Sequence, residues 1–410
     1  MSLAAPLARS LASSLARGLG AGFDDISPSA VWDFIGGVYL GAGPLTLTRA
    51  SDGGYTDANG DYADADVDVL RFDHDPETLA PLGGLIESPG TNLFVESLPV
   101  DTDDGWEKGP NTTRVGADVA FGSGNATAYQ SNGSASNDFV SQQIAVTSGV
   151  TYTVSVYARI VSGTKPTGGN LISAQTTPGS PDIRQNRSFA TSTLDGTLRR
   201  YSVTFTAEGT GFVSIFFVTS QNNTATIALA GAQAEAGSSP SSYIPTTSAA
   251  ATRAVDVLTA PIGDWFNPSE GTWIVESSRS YAESGSAFPR VLQIDDGSSG
   301  NSISLLWATS TSRLYATVSS GGVVQASIGP TGLTQTAVNK IAAAYKVNNF
   351  AASVNGIVPG VDTFGTVPTG LTTVRFGNQP SNTAPLFGHI RRVSYIPRRV
   401  SNAELQALSA

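Results

Sequence analysis

Residues 151–161, TYTVSVYARIV, put Tyr152, Val154, Val156 and Ala158 on one side of an extended chain and Thr151, Thr153, Ser155 and Tyr157 on the other. Strand side chains alternate between two faces, so this spacing buries one face and wets the other; a helix of period 3.6 cannot do that. The pattern recurs in RRYSVTFTAEGTGFVSIFFVTS, where Tyr201, Val203 and Phe205, then Val213, Ile215 and Phe217, stay in phase around Glu208-Gly209. ATIALAGAQAEA closes the set. The 44 glycines and a charged fraction of 14% suit short strands with tight turns, whereas long helices favour Lys, Glu and Leu. An all-β fold follows.

A chain of 410 residues has room for more than one core. Residues 91–246 read as one β-sandwich and residues 259–410 as a second, running through GTWIVESS, FPRVLQIDD, SISLLWA, RLYATVSS and GHIRRVSYIP. Residues 247–258, TSAAATRAVDVL, read as the linker between two sandwiches in series, and a chain starting near Ala251 is expected to fold alone. Residues 24–90 hold too few apolar residues for a core and read as an extended connector with short hairpins. One turn is Asn59-Gly60 between Tyr55 and Tyr62, where both turn residues tolerate positive φ. Near the C-terminus, Ser401 with Glu404 three residues on predicts a capping box and a short helix.

Residues 1–23 contain Leu3, Leu7, Leu11, Leu15 and Leu19, one every fourth residue. On a helix this spacing sweeps a broad apolar face, and Gly18, Gly20 and Gly22 end it. Arg17 interrupts the apolar block that an export peptide would need. The segment is therefore expected to be an amphipathic helix that anchors the chain by docking or self-association, with a cleaved peptide and a membrane-surface helix as the alternatives.

Several function classes lose support. There is no Cys, hence no disulfide or thiolate metal site, and only His74 and His389 could serve a histidine centre. A formal net charge of −10 without a basic run argues against nucleic acid as a partner. No apolar run is long enough for a membrane-spanning helix. Glycan hydrolysis needs two carboxylates about 5–10 Å apart. The GTWIVESS strand offers Glu276 alone, and Asp295-Asp296-Gly297 reads as a turn. No Gly-x-Ser-x-Gly elbow accompanies either histidine, so no enzyme is expected. Asp57, Asn59, Asp61, Asp64, Asp66 and Asp68 approach an EF-hand loop, but Gly60 falls at the wrong position and a hairpin is the plainer reading.

The order PLTLTRAS, RFDHDPETLAPLGGLIESPGTNLF, AGAQAEAGSSPSSYIPTT and TRAVDVL resembles tail-fibre and head-spike proteins of bacteriophages and prophages. That resemblance implies a carbohydrate-binding-module-like sandwich closed by the AQ-E-G-P-SYIPT signature, with Tyr243 and Ile244 covering its open end. The later residues, GTW and GHIRRVSYIPRRVSNAELQAL, are similar to concanavalin-A-like (laminin-G-like) jelly rolls. The implied function is a homotrimeric spike or fibre on the virion surface. It would dock on other virion proteins through its N-terminus and bind host cell-surface polysaccharide. A structural decoration protein and a secreted glycan-active enzyme are the alternatives. Sugar binding needs exposed aromatics beside amides, and Trp106, Tyr129, Trp307 and Tyr315, with Tyr281, are the candidates. No cofactor is expected beyond a structural calcium, for which modules of this resemblance suggest Asp101, Asp103 and Asp104.

Overall fold

The computed structural model describes residues 26–41, 43–97, 105–131, 139–164, 166, 169–176, 187–190, 193–219, 224–281, 288–329 and 333–410. The leucines of residues 1–23 and the cluster Asp101, Asp103 and Asp104 lie outside them. The described chain is all-β: antiparallel strands and a single short α-helix, Asn402–Leu408. It divides into two compact units.

One unit is a sandwich built from Ser51–Val67 and Pro89–Ala254. Its first sheet runs, in spatial order, Thr112–Phe121, Gly124–Ser131, Thr226–Ala236, Thr151–Ser162, Arg199–Thr206. Its second runs Arg187–Ala190, Asn170–Thr176, Gly211–Thr219, Val140–Val146, Glu107–Lys108. The alternation legible in the sequence sets the core. Val154, Val156 and Ala158 meet Val213, Ile215 and Phe217, all fully buried.

The AGAQAEAGSSPSSYIPT segment closes this unit differently from expectation. Tyr243 packs with Phe121, Ala126, Ala228 and Ala230, on the outer face of the first sheet rather than over an open end. The small alanines leave room for a ring there. The hairpin Gly53–Thr56 with Tyr62–Ala65 adds Tyr62, stacked on Phe121 with centroids 4.5 Å apart. Burial and the Asp64 carboxylate, which accepts from the Tyr62 hydroxyl, raise the pKa of that phenol.

The other unit gathers the described residues up to Ala50, Asp68–Ser88 and Val255–Ala410. Its seven-stranded sheet runs Val323–Ile328, Arg313–Ser320, Ser302–Ala308, Arg290–Asp295, Thr373–Phe376, Val257–Pro261, Thr46–Thr48. The facing nine-stranded sheet is centred on Gly388–Ile396 and Glu270–Arg279. Ala30–Asp33 and Pro81–Ile86 both pair with Gly388–Ile396. Residues 24–90 are thus not a connector: they supply strands to both sheets here, and the 53–65 hairpin to the other unit. Their apolar residues are few but central, since Trp32 is 0% exposed and lies 5.2 Å from Phe376 and 6.3 Å from Trp273 between ring centroids.

The chain leaves this unit twice, at residues 51–67 and 89–254, and each excursion is closed at its base. Asp68 N–H donates to the Arg49 carbonyl (3.3 Å) and Arg49 N–H to the Asp68 carboxylate (2.7 Å). Asp256 N–H donates to the Glu87 carbonyl (3.2 Å) and Glu87 N–H to the Asp256 carboxylate (2.8 Å). One buried ion-pair cluster joins the two bases: Arg49–Asp256 at 3.2 Å, Arg71–Asp256 at 2.5 Å and Arg71–Glu87 at 2.6 Å. Burial alone would lower the Arg71 pKa, but Glu87 and Asp256 more than offset it and hold the guanidinium charged. Removing one partner of such a buried pair typically costs about 3–5 kcal/mol.

The helix Asn402–Leu408 covers the outer face of the nine-stranded sheet, where Leu405 and Leu408 meet Ile274, Ala342, Ala344 and Ala351. Its predicted capping box is present: Ser401 accepts from the Glu404 N–H, and the Glu404 carboxylate accepts from the Ser401 N–H.

Candidate glycan-binding face

Three of the four aromatics expected to form a sugar platform are core residues. Trp106 is 2% exposed and lies 5.7 Å from Phe94 and 5.6 Å from Phe217. Tyr129 stands opposite the inward Ile227, and Trp307 opposite the inward Leu314; both are buried. The strand phase of Tyr129 and Trp307 points them between the sheets, and Trp106, just before the strand Glu107–Lys108, packs into the same core as Tyr129. Tyr315 has the other phase and is half-buried on an outer face. Tyr281 is also half-buried, edge-on to Phe387 at 4.8 Å with the Arg279 guanidinium over its ring.

The carboxylates near Asn59-Gly60 serve the chain itself. Asp57 accepts from the N–H groups of Asn59 and Asp61 (2.8 and 3.0 Å), and Asp64 accepts from the Ser123 N–H (2.9 Å). His389 is paired with Asp73 at 2.8 Å. Glu276 stands 3.9 Å from Lys340 and 3.8 Å from Arg392. Among the described residues, no group of three or more His, Cys, Asp or Glu is arranged to hold a metal.

An aromatic face does exist in the first sandwich, on the outer side of its second sheet. With Val213, Ile215 and Phe217 turned inward, the same strand turns Phe212, Ser214 and Phe216 outward. Cross-strand register builds rows from them: Glu107–Ser141–Phe216–Ser173, Gln143–Ser214–Gln175 and Ala145–Phe212. Directly opposed side chains on one face stand about 4.5–5.5 Å apart, so the two phenylalanines and two glutamines form one patch. Phe139 meets Phe216 edge-on at 5.1 Å and steadies it. Phe212 is 54% exposed. Gln143 is exposed, and half-buried Gln175 donates to Ser173 Oγ at 3.2 Å.

Apolar rings flanked by amides suit a sugar. The ring faces the sugar's C–H groups, while Gln143 and Gln175 can both donate to and accept from its hydroxyls; the serines of these rows, Ser141, Ser173 and Ser214, are buried. Exposed Glu107 and Lys108 border the patch.

Residues 92–226 match the family model described as a carbohydrate binding domain. Every residue of the patch lies inside that match, which runs from Asn92 to the first residue of the strand Thr226–Ala236. No curated protein matches this chain. Among solved structures, the CBM40 of the Ruminococcus gnavus IT-sialidase, bound to α2,3-sialyllactose, is similar at 18% identity. That comparison covers 35% of this chain and 84% of the other, with a TM-score of 0.30. The N-terminal CBM22-1–CBM22-2 tandem of Paenibacillus barcinonensis Xyn10C is similar at 12% identity over 76% of this chain and 99% of its own (TM-score 0.29). Mouse laminin α1 domains LG4-5 are similar at 8% over 79% and 91% (TM-score 0.24). Scores this low transfer no ligand or site.

The patch was open to a sequence reading. In GFVSIFFVTS, inward phase at Val213, Ile215 and Phe217 forces two phenylalanines onto the water side. A strand whose wet face carries two aromatics has a reason to keep them there.

Proposed function

We propose that this protein is a non-catalytic glycan-binding protein that holds sugars on the Phe212/Phe216 face of its carbohydrate-binding domain. The observation that carries this reading is the coincidence of the family match with an outward patch of aromatic and amide side chains, Phe212, Phe216, Gln143 and Gln175. As a finer reading, the chain is a spike or fibre on a virion surface, docked through residues 1–23 in a homotrimer and directed at host polysaccharide. Only the sequence resemblance supports that placement. Several copies on one particle would turn weak sugar sites into strong attachment, because linked sites bind at high effective concentration.

The binding test is a glycan panel of β-gluco-, xylo- and galacto-oligosaccharides with the full chain, repeated for Phe212→Ala and Gln143→Ala. Both variants should keep the wild-type melting temperature and lose about tenfold or more in affinity, equivalent to about 1.4 kcal/mol. Unchanged affinity in both would remove the face from consideration. Micrographs of particles labelled at residue 410 test the virion placement, which fails if no particle carries the label.

A further inference from the structure

The outer face of the seven-stranded sheet is built for charge of the opposite sign to the chain's own. Register places Tyr315, Leu306 and Arg290 in one cross-strand row, with Arg313 opposite Ala308 in the next. All five side chains share the outward phase, since their neighbours Leu305, Trp307, Leu314 and Ala316 fill the core. Leu306 and Ala308 form an apolar floor at 8% and 7% exposure. The two guanidinia flank it.

Neither guanidinium meets a carboxylate among the described residues. Arg290 donates to Gln293 Oε1 (3.1 Å) and to the Phe288 carbonyl (2.7 Å), both neutral. Arg313 donates to the Tyr315 hydroxyl (2.9 Å), and its Nε is buried without a partner. The strands of this sheet carry one carboxylate, Asp295, and it is engaged by Arg375 at 2.9 Å and by Gln293. Burial lowers the pKa of Arg290. In a chain with 33 acidic and 23 basic residues, two arginines on one face that meet no carboxylate among the described residues stand out.

The geometry points to a second ligand site here, for an anionic sugar residue whose acidic group bridges Arg290 and Arg313 while its ring lies on Leu306 and Tyr315. A guanidinium fork matches carboxylate or sulfate oxygens, and the ring of Tyr315 supplies an apolar surface with a polar tip. In the neighbouring row only Thr317 is partly exposed; Ser304 and Gln293 opposite it are buried. This site differs in chemistry and in sandwich from the Phe212 face and does not depend on it.

The test is titration of the full chain with trigalacturonic acid, with a sulfated galactan oligosaccharide, and with neutral galactotriose. One or both anionic sugars should bind, about tenfold or more tighter than the neutral one, and added salt should weaken them. Whichever anion binds names the acidic group. Arg290→Gln and Arg313→Gln should each abolish that preference, while Phe212→Ala leaves it intact. Should Arg290→Gln fail to fold, Arg290→Lys, which keeps the charge and loses the fork, should weaken binding in its place. Equal affinity for charged and neutral sugars, an unaltered preference in both arginine variants, or its loss in Phe212→Ala would overturn the assignment.

Discussion

Gln233 and Glu235 explain at single-residue resolution why the AQAEAGSSPSSYIPT stretch reads as a unit. Both are buried and project from the outer side of their strand. The Glu235 carboxylate accepts from the Ser241 N–H (2.6 Å) and hydroxyl (2.8 Å), and the Gln233 carbonyl accepts from the Ile244 N–H (2.7 Å). Asn92, in the distant GTNLF stretch, donates to the carbonyls of Ala232 and Ile244 (3.0 Å each). Two sequence signatures more than 130 residues apart are therefore one hydrogen-bonded closure, with |i−j| of 140 and 152 for those bonds. The spacing was visible in the sequence; the partners were not, because a polar residue in a strand does not announce which backbone it will satisfy. Glu235→Ala strips the Ser241 donors of their acceptor, and each buried unsatisfied group costs about 1–3 kcal/mol. Urea denaturation should show a loss of that size. The aromatic candidates failed at the same scale: a Trp or Tyr in a strand faces in or out by phase alone, Tyr129 and Trp307 face in, and Trp106, just before a strand, is also buried.

Among elements, the C-terminal helix was legible from local chemistry, because a capping box needs only Ser401 and Glu404. Burial would raise the Glu404 pKa, but hydrogen bonds from Arg398 and from Ser401 outweigh it and hold the carboxyl below its ordinary value. A depressed folded pKa contributes stability that is present above the unfolded value, about 4.3, and is lost as pH falls through the folded value. The urea midpoint of Glu404→Gln should therefore lie below that of wild type at pH 7 and converge with it in acid. A constant gap down to pH 3 would remove the carboxylate from the helix's stability. The strands of residues 24–90 were harder to read, because short strands such as Ala30–Asp33 and the edge strand Thr46–Thr48 take their stability from partners more than 200 residues away. A chain of residues 251–410 lacks Trp32, Arg49, Arg71 and Glu87, and is expected to express as aggregate. By contrast, joining Ser88 to Val255 through a two- or three-residue turn spans a gap already bridged by the Glu87–Asp256 hydrogen bonds. The joined chain should stay soluble with a cooperative melt.

For the whole molecule, period-two patterning and turn composition were enough for an all-β chain with two sandwiches, but not for one sandwich emitted as excursions from the other. Nested connectivity leaves no compositional trace: the passages at residues 50/51, 67/68, 88/89 and 254/255 fall in ordinary turn-like sequence. Their common feature is the buried Arg49–Asp256–Arg71–Glu87 cluster, whose members are scattered through the chain and meet only in the fold. The cluster closes the base of each excursion within the unit that holds residues 68–88 and 255–410. Where the sugar sits can be read directly by hydrogen exchange of the full chain, with and without an oligosaccharide that the panel shows to bind. Added protection confined to Val140–Val146, Asn170–Thr176 and Gly211–Thr219 is the predicted result; protection elsewhere in the chain, with these strands unchanged, would contradict it.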